Sequence, residues 1–497
     1  MMQNGTILVT GATGYVGARL VTRLLAKGYR VRATGRSLAR LRKRPWANDP
    51  GVELFPADVI DPASIAKACE GCAAAYYLVH SMMPGEGEFE EKDREAARTM
   101  ARAAAEAGLS RLIYLGGLGE ENPALSRHLR SRAEVAEILA AGATPVTTLR
   151  AAMILGAGSA SFEILRYLVD RLPVMITPRW VSTECQPIGI RNVLDYLVGC
   201  LETPGTAGGT FDIGGPEVIT YRDLMRTYAR EAGLPTRLVI PVPVLTPRLS
   251  SYWIHLVTPV HAEVARPLAE GLSNRVVCGE ARIRDLVPVE LSTCREAIHA
   301  ALGPMNFRFL EADQPPGWIP WDAYRYPGDP PWAGGTFYRE AWRLSVRATP
   351  AEVWKGIEAL GGKNGWYTAD WLWSLRGFLD RLCGGIGMRK GNREGGPLST
   401  GAEVDFWRAV SVTPQRELRL VAEMKLPGDG VLSFRLRETD PGTTELTQTA
   451  HFLPRGLGGV VYWALFHPFH RLVFPGLIVG IALRTGRPIV SGPAPIS

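Results

Sequence analysis

Thr10-Gly11-Ala12-Thr13-Gly14-Tyr15-Val16-Gly17 decides the reading of this chain, because it follows a strand-length apolar run at 7–10 and opens a helical stretch. Gly11 lets the backbone turn sharply out of the strand. Gly14 removes a side chain where a pyrophosphate must approach the backbone, and Gly17 allows the helix to pack closely on the sheet. The helix start, with Ala12, Thr13, Tyr15 and Val16 completing the loop, offers free N–H groups and the positive end of its dipole to phosphate. A strand before, a helix after and a second strand about 20 residues on form the context this pattern requires.

Outward from this loop, short β-branched runs at 7–10, 29–34, 53–56, 75–79, 112–115 and 146–150 alternate with helical stretches at 16–27, 63–70, 89–107 and 131–141. Strict alternation predicts βαβ units and an α/β fold, a doubly wound parallel sheet of Rossmann type. The end of the second strand selects the cofactor. Arg32-Ala33-Thr34-Gly35-Arg36-Ser37 carries no acid for ribose hydroxyls and places Arg36 within reach of a 2′-phosphate. A guanidinium matches phosphate in charge and geometry, so NADP(H) is favoured over NAD(H).

The glycine pattern, Arg36, Asp58-Val59 after the third strand, and Gln186-Pro187-Ile188 near Asp195 together resemble extended and atypical short-chain dehydrogenases/reductases over residues 5–300. The resemblance implies that Asp58 and Val59 lie near the adenine. It also implies that Leu78, Val79 and His80, within Tyr77–Met82, pass the ribose and nicotinamide. Tyr77–Met82, Pro178-Arg179-Trp180-Val181 and the carboxy-terminal half resemble a bacterial subgroup. In that subgroup the NAD(P)-binding domain is fused to a domain of unknown function similar to polyketide-cyclase/START-like helix-grip proteins.

One departure bears on activity. Such enzymes use a serine or threonine after the fifth strand and a Tyr-x-x-x-Lys dyad to move a proton and hold the ribose. Here the fifth strand ends Tyr114-Leu115-Gly116-Gly117, and the best match to the dyad is His128-Leu129-Arg130-Ser131-Arg132. His128 and Arg132 are therefore the catalytic candidates, histidine as the acid and arginine as the ribose holder. Two readings stay open. One is an NADP(H)-dependent oxidoreductase acting on a hydrophobic small molecule; the other is a non-catalytic NADP(H)-binding sensor or assembly factor.

Residues 156–303 read as a smaller substrate-side region over the mouth of the sheet, completing a domain at 5–303. A Pro/Trp-rich strap follows at 304–335, with six prolines and three tryptophans between Gln314 and Gly335. From 336 to 497 alternating strands at 338–346, 404–412, 417–424, 431–438 and 445–453 predict an α+β helix-grip-like domain. Its first helix is opened by the capping box Thr349-Pro350-Ala351-Glu352. A second helix is expected at 369–382 and a long apolar one at 458–483. Trp366, Tyr367, Trp371 and Trp373 read as core and cavity wall. The closing helix reads as a buried grip helix, with peripheral membrane contact as the alternative, because His467, Pro468, His470 and Arg471 interrupt it.

With 497 residues, 46% hydrophobic and 21% charged, the chain is globular and long enough for more than one core. Its formal charge of +7 is spread thinly, which argues against a nucleic-acid partner. Seven cysteines make no disulfide framework, Cys69 and Cys72 read as small semi-buried residues, and no metal site is legible. The absence of a signal-peptide pattern leads us to expect a cytoplasmic protein, membrane-associated if the closing helix lies on lipid. No signal for an oligomeric state is present.

Overall fold

The computed structural model describes residues 5–80, 89–119, 126–242, 257–302, 326–382, 384–388 and 398–496. These fall into two compact units, residues 5–302 with 326–335, and residues 336–496.

In the first unit the strands are β1 (Thr6–Thr10), β2 (Arg30–Gly35), β3 (Val52–Pro56), β4 (Cys72–Tyr77), β5 (Leu112–Gly117) and β6 (Val146–Ala151). They lie in the order β3-β2-β1-β4-β5-β6, and the strand Thr210–Ile213 extends the sheet beyond β6. All seven are parallel. Alternate residues feed two cores, as the pleat requires. Ile7, Val9, Val31 and Ile113 pack with Leu20, Val21 and Leu24 of helix α1 (Tyr15–Ala26) and with Val193, Leu194 and Leu197 of the helix Ile190–Glu202. On the other face Leu8, Ala75, Leu112 and Tyr114 pack with Ala97, Met100 and Ala104 of the helix Phe89–Glu106, and with Val135 and Leu139 of the helix Arg127–Ala140.

Within residues 156–303, Thr210–Ile213 joins the sheet and Ile190–Glu202 roofs one of its faces. Two expectations are corrected here. The fourth strand ends at Tyr77 rather than 79, because Leu78 leaves the sheet to pack its carbonyl against Gly11. The helix read from 131 begins at Arg127, capped by Ser126, whose Oγ accepts from the Leu129 N–H at 3.4 Å. That earlier start places His128 and Arg132 one turn apart on a single helix. Cys69 and Cys72 are buried free thiols, the first pushed up to about 12 by desolvation.

Of the strap, Tyr326–Gly335 packs on this unit, while Pro315, Pro316, Trp318, Pro320 and Trp321 lie outside the described residues. Tyr167 donates its hydroxyl to the Trp332 carbonyl at 3.0 Å. The Gly334 and Gly335 amides donate to Glu163 at 2.9 and 3.1 Å.

The second unit is built on a seven-stranded antiparallel sheet. Its order is Glu403–Val404, Trp407–Thr413, Glu417–Ala422, Gly428–Asp440, Thr443–Pro454, Tyr338–Val346 and Ile489–Ile496, the last strand being absent from the sequence reading. The capping box forms as expected: the Thr349 N–H donates to Glu352 at 2.8 Å and the Glu352 N–H donates to Thr349 Oγ1 at 3.3 Å. Trp366 and Trp373 are buried in this core, whereas Trp371 is exposed, on the outer side of the helix Asp370–Leu382. The closing helix spans Gly456–Leu483 and is buried only in part. Leu477, Ile478 and Ile481 insert into the sheet core, but Leu457, Val461, Leu465, Phe469 and Leu472 stay exposed.

Candidate functional site

A parallel sheet brings the carboxy ends of β1, β2, β4 and β5 to one edge, and the strand order reverses between β1 and β4. That crevice is where doubly wound sheets bind ligands. Gly11 turns out of β1 at φ +71°, and a Cβ on it would collide with the Leu78 carbonyl. Gly17 is equally constrained, since a Cβ there would meet the Gly11 carbonyl. Gly14 is the N-cap of α1 and has no side chain to cap it, and the first turn carries no acid. The leading amides, which have no carbonyl one turn back, are thus left to an anion.

The remaining cofactor candidates surround this loop. Arg36 is exposed just beyond β2 and makes no ion pair among the described residues. Asp58 is half-buried and its carboxylate accepts from the Ile60 N–H at 3.2 Å, holding the turn after β3, while Val59 is buried in the core below. Leu78 donates its N–H to Thr10 Oγ1 at 3.4 Å, and Val79 and His80 continue along the crevice. Ser81 and Met82 lie outside the described residues. Gln186 is engaged elsewhere, donating to the Gly215 carbonyl at 2.7 Å and accepting from the Cys278 N–H at 3.0 Å. A turn with glycine at its two ends, an uncapped helix start and an arginine beyond β2 with no ion pair among the described residues fit a dinucleotide carrying a 2′-phosphate.

Beneath the loop lies a charge cluster that sequence reasoning missed. Asp329 is held at 2.8 Å by both Arg19 and Arg44, all three side chains being almost fully buried. Arg19 donates to the Tyr15 carbonyl at 3.0 Å and stacks on the Tyr15 and Tyr326 rings. Arg44 donates to the Thr13 carbonyl. The strap residue is therefore the shared counter-ion of two arginines that grip the backbone of the glycine turn.

His80 and His128 meet at the end of β4. Nε2 of His80 is 3.2 Å from Nδ1 of His128, and Nδ1 of His80 is 3.3 Å from the Asp93 carboxylate. Ser131 donates its hydroxyl to the same carboxylate at 3.2 Å. The outer nitrogen of His128, Nε2, has no hydrogen-bond partner among the described residues. Arg132 donates to the Leu115 carbonyl at 3.1 Å, and its buried Nε has no partner among the described residues. It borders a small cavity of about 30 Å³ lined also by Gly116, Gly117, Leu129 and Arg150. That volume admits water only. The structure thus places His128 and Arg132 one turn apart on one helix and His80 within hydrogen-bond reach of both His128 and Asp93.

Asp93 was legible in principle. On the helix Phe89–Glu106 the buried stripe runs through Ala96, Ala97, Met100 and Ala104, and Asp93 continues it one turn earlier. A carboxylate on an apolar stripe marks a buried partner. Ser131 likewise shares the stripe of His128, Val135 and Leu139 on its own helix.

Burial holds both imidazoles below their ordinary value, His80 at about 4, with Arg132 adding to the effect and Asp93 opposing it at His80. Between about pH 6.5 and 4 these two histidines therefore bind more protons in the unfolded chain than in the folded unit, so their contribution to stability falls as pH drops through that window, against the opposite contribution of Asp170, whose carboxyl burial raises to about 6. For His80 the loss amounts to about 3 kcal/mol. Melting curves from pH 7.5 to 4.5 should show this loss, with a shallower slope in His80→Gln. An unchanged slope would assign the effect to other groups.

Comparison with known proteins agrees with this geometry. Residues 3–163 match the model of the NmrA-like family, and residues 332–477 match one described as a protein of unknown function (DUF2867). Over residues 3–163 the first unit, a Rossmann-type parallel sheet, is thus similar to the NmrA-like family. Maize divinyl chlorophyllide a 8-vinyl-reductase is 26% identical over 257 residues, 48% of this chain and 63% of the relative. A ceramide reductase of Caulobacter vibrioides is 26% identical over 236 residues, 47% of this chain and 73% of the relative. The chain spans less than two thirds of the length of the plant relatives it matches. Among solved structures, the Citrobacter sp. triphenylmethane reductase complexed with NADP(H) is 19% identical, with a TM-score of 0.48, over 60% of this chain and 99% of that one.

Proposed function

We propose that the chain is an NADP(H)-dependent oxidoreductase acting on a hydrophobic carbonyl or alcohol compound. The observation that carries it is the hydrogen-bonded row Asp93–His80–His128 at the crevice where the glycine turn ends. That the maize and Caulobacter relatives are named reductases supports the reading.

When bound, the cofactor exchanges a hydride with the substrate carbon. The chain's own residues handle the matching proton. In the resting cluster His80 Nδ1–H donates to Asp93, and His128 Nδ1–H donates to His80 Nε2, leaving the lone pair on His128 Nε2. A proton taken from an alcohol at Nε2 releases the Nδ1 proton of His128 to His80, whose cation then sits against the Asp93 carboxylate. Run in reverse, the same row delivers a proton from His128 Nε2 to a carbonyl oxygen. Asp93 and Ser131 fix the row, while Arg132, one turn along the helix from His128, is held by the Leu115 carbonyl beside Gly117, where the related enzymes carry a hydroxyl, and borders a cavity of water size.

Arg36 sets the choice of cofactor. Arg36→Asp should weaken NADPH binding about 10- to 100-fold and leave NADH within a few-fold. Isothermal titration of both nucleotides checks this, and equal losses would remove Arg36 from the site.

For the second unit, the long helix set into an antiparallel sheet supports a helix-grip, START-like domain that holds the hydrophobic substrate or ligand. The glycine at the usual serine position favours a second reading of the whole chain, a binding module that uses NADP(H) to sense or assemble. Native mass spectrometry of the purified protein separates the two. NADP(H) retained through extensive dialysis favours the module, because a cosubstrate must leave after each turnover. Nucleotide-free protein that oxidises NADPH with an apolar carbonyl favours the enzyme.

A further inference from the structure

Two neighbouring helices of the second unit turn apolar stripes outward. On Asp370–Leu382 the stripe is Trp371, Leu375, Phe378, Leu379 and Leu382, with Trp371 66% exposed and Phe378 59%. On Gly456–Leu483 it is Leu457, Val461, Leu465, Phe469 and Leu472, spaced three or four residues apart, with Leu465 and Leu472 each 64% exposed. The helices adjoin, since Arg376 of the first donates to the Tyr462 hydroxyl of the second and Thr368 packs against Gly476. Ten large apolar side chains exposed on adjoining helices exceed what a soluble surface ordinarily carries.

The free charges along these stripes are basic. The span Gly456–Leu483 contains no carboxylate and carries Arg471, while His467 and His470 face Glu340 of the sheet and burial holds His470 toward its neutral form. Asp370, at the start of the other helix, is exposed but accepts from the Trp366 N–H at 2.7 Å. Between Trp371 and Leu382 the single acid, Asp380, is buried and occupied, accepting from the Gly387 and Lys425 amides at 2.8 and 2.7 Å. Arg381 and Arg471 are exposed, and Arg471 makes no ion pair among the described residues. An apolar stripe with a basic border and an exposed tryptophan is the composition that lies in the headgroup region of an anionic bilayer.

We infer that this face of the second unit binds the surface of an anionic lipid bilayer, with the two stripes inserted among the upper acyl segments and Arg381 and Arg471 against the phosphates. Helix Gly456–Leu483 is long and apolar enough to cross a membrane, but its second half is committed elsewhere. Leu477, Ile478 and Ile481 are fully buried in the sheet core, and the chain returns at once as the strand Ile489–Ile496, paired with Tyr338–Val346. Spanning would require unfolding this core, whereas lying in the interface requires no change. The arrangement would set the ligand-holding unit against the solvent from which an apolar compound is drawn.

Flotation of the full chain with vesicles of 30% phosphatidylglycerol in phosphatidylcholine, compared with phosphatidylcholine alone, tests the inference. The wild type should float with the anionic vesicles and lose most of that binding with phosphatidylcholine alone. Phe378→Glu combined with Leu465→Glu should reduce the floated fraction at least tenfold, with the melting temperature preserved because both side chains are exposed. Arg471→Glu, which leaves the stripes intact, should reduce it several-fold. A wild type that stays at the bottom of the gradient with both vesicles would overturn the inference, as would a double variant that floats like the wild type. A stable dimer of the lipid-free protein that the double variant dissociates would also overturn it, assigning the face to a second copy of the chain.

Discussion

Replacing His128 by alanine is expected to lower turnover by about 10²- to 10⁴-fold while leaving the NADPH dissociation constant within about twofold of wild type. The asymmetry follows from where the residue sits. His128 is tied to His80 and not to the glycine turn, so its loss breaks the proton path without opening the dinucleotide cradle. Asp93→Asn should give a smaller loss, because the amide still accepts from His80 Nδ1 but no longer balances a cation on that ring. Paired measurements of kcat and nucleotide binding distinguish the cases. Full turnover in His128→Ala would take the histidine row out of the reaction.

The largest expected effect on stability belongs to Asp329. Asp329→Ala removes the carboxylate that buried Arg19 and Arg44 share, and breaking such a pair costs about 3–5 kcal/mol. Because Arg19 and Arg44 also hold the Tyr15 and Thr13 carbonyls, the loss should extend to nucleotide affinity even where the unit stays folded. Denaturant midpoints for the variant, with and without NADPH, measure both effects. A midpoint close to wild type would mean that water reaches the two guanidinium groups.

The Rossmann sheet was legible because its signals are local. Each strand is a short apolar run, each crossover carries a helical period, and the glycine turn joins them in fixed order. Capping by Ser126 was missed because the reading followed apolar period alone, and it moved the start of a helix by four residues. The strand Thr210–Ile213 escaped for another reason: its four residues carry too little pattern, and only pairing with β6 makes it a strand. The last strand, Ile489–Ile496, contains prolines and a glycine that argue against a strand in isolation. It survives at the sheet edge, where a missing amide costs little.

The candidate site divides along the same line. Gly11, Gly14, Gly17 and Arg36 are tied to the backbone positions that the motif itself sets. The partnership of His80 with Asp93 and His128 depends on three separate segments converging, and no spacing announces it. Trp371 illustrates the converse, since a tryptophan read as cavity wall lies on the outer face of its helix. Composition alone cannot tell which side of an amphipathic segment meets solvent once both sides are apolar.

The counter-ion beneath the glycine turn also sets a timetable. Asp329 follows Arg44 by 285 residues and Arg19 by 310. At a synthesis rate of about 5–20 residues per second, a growing chain carries these two arginines for roughly 15–60 s before their partner exists. The Rossmann sheet can collapse on the ribosome in that interval, but its phosphate-binding loop acquires its final support only after Gly335 has been made. The ability to capture a nucleotide therefore arrives late in the birth of the molecule, when translation has already entered the second unit.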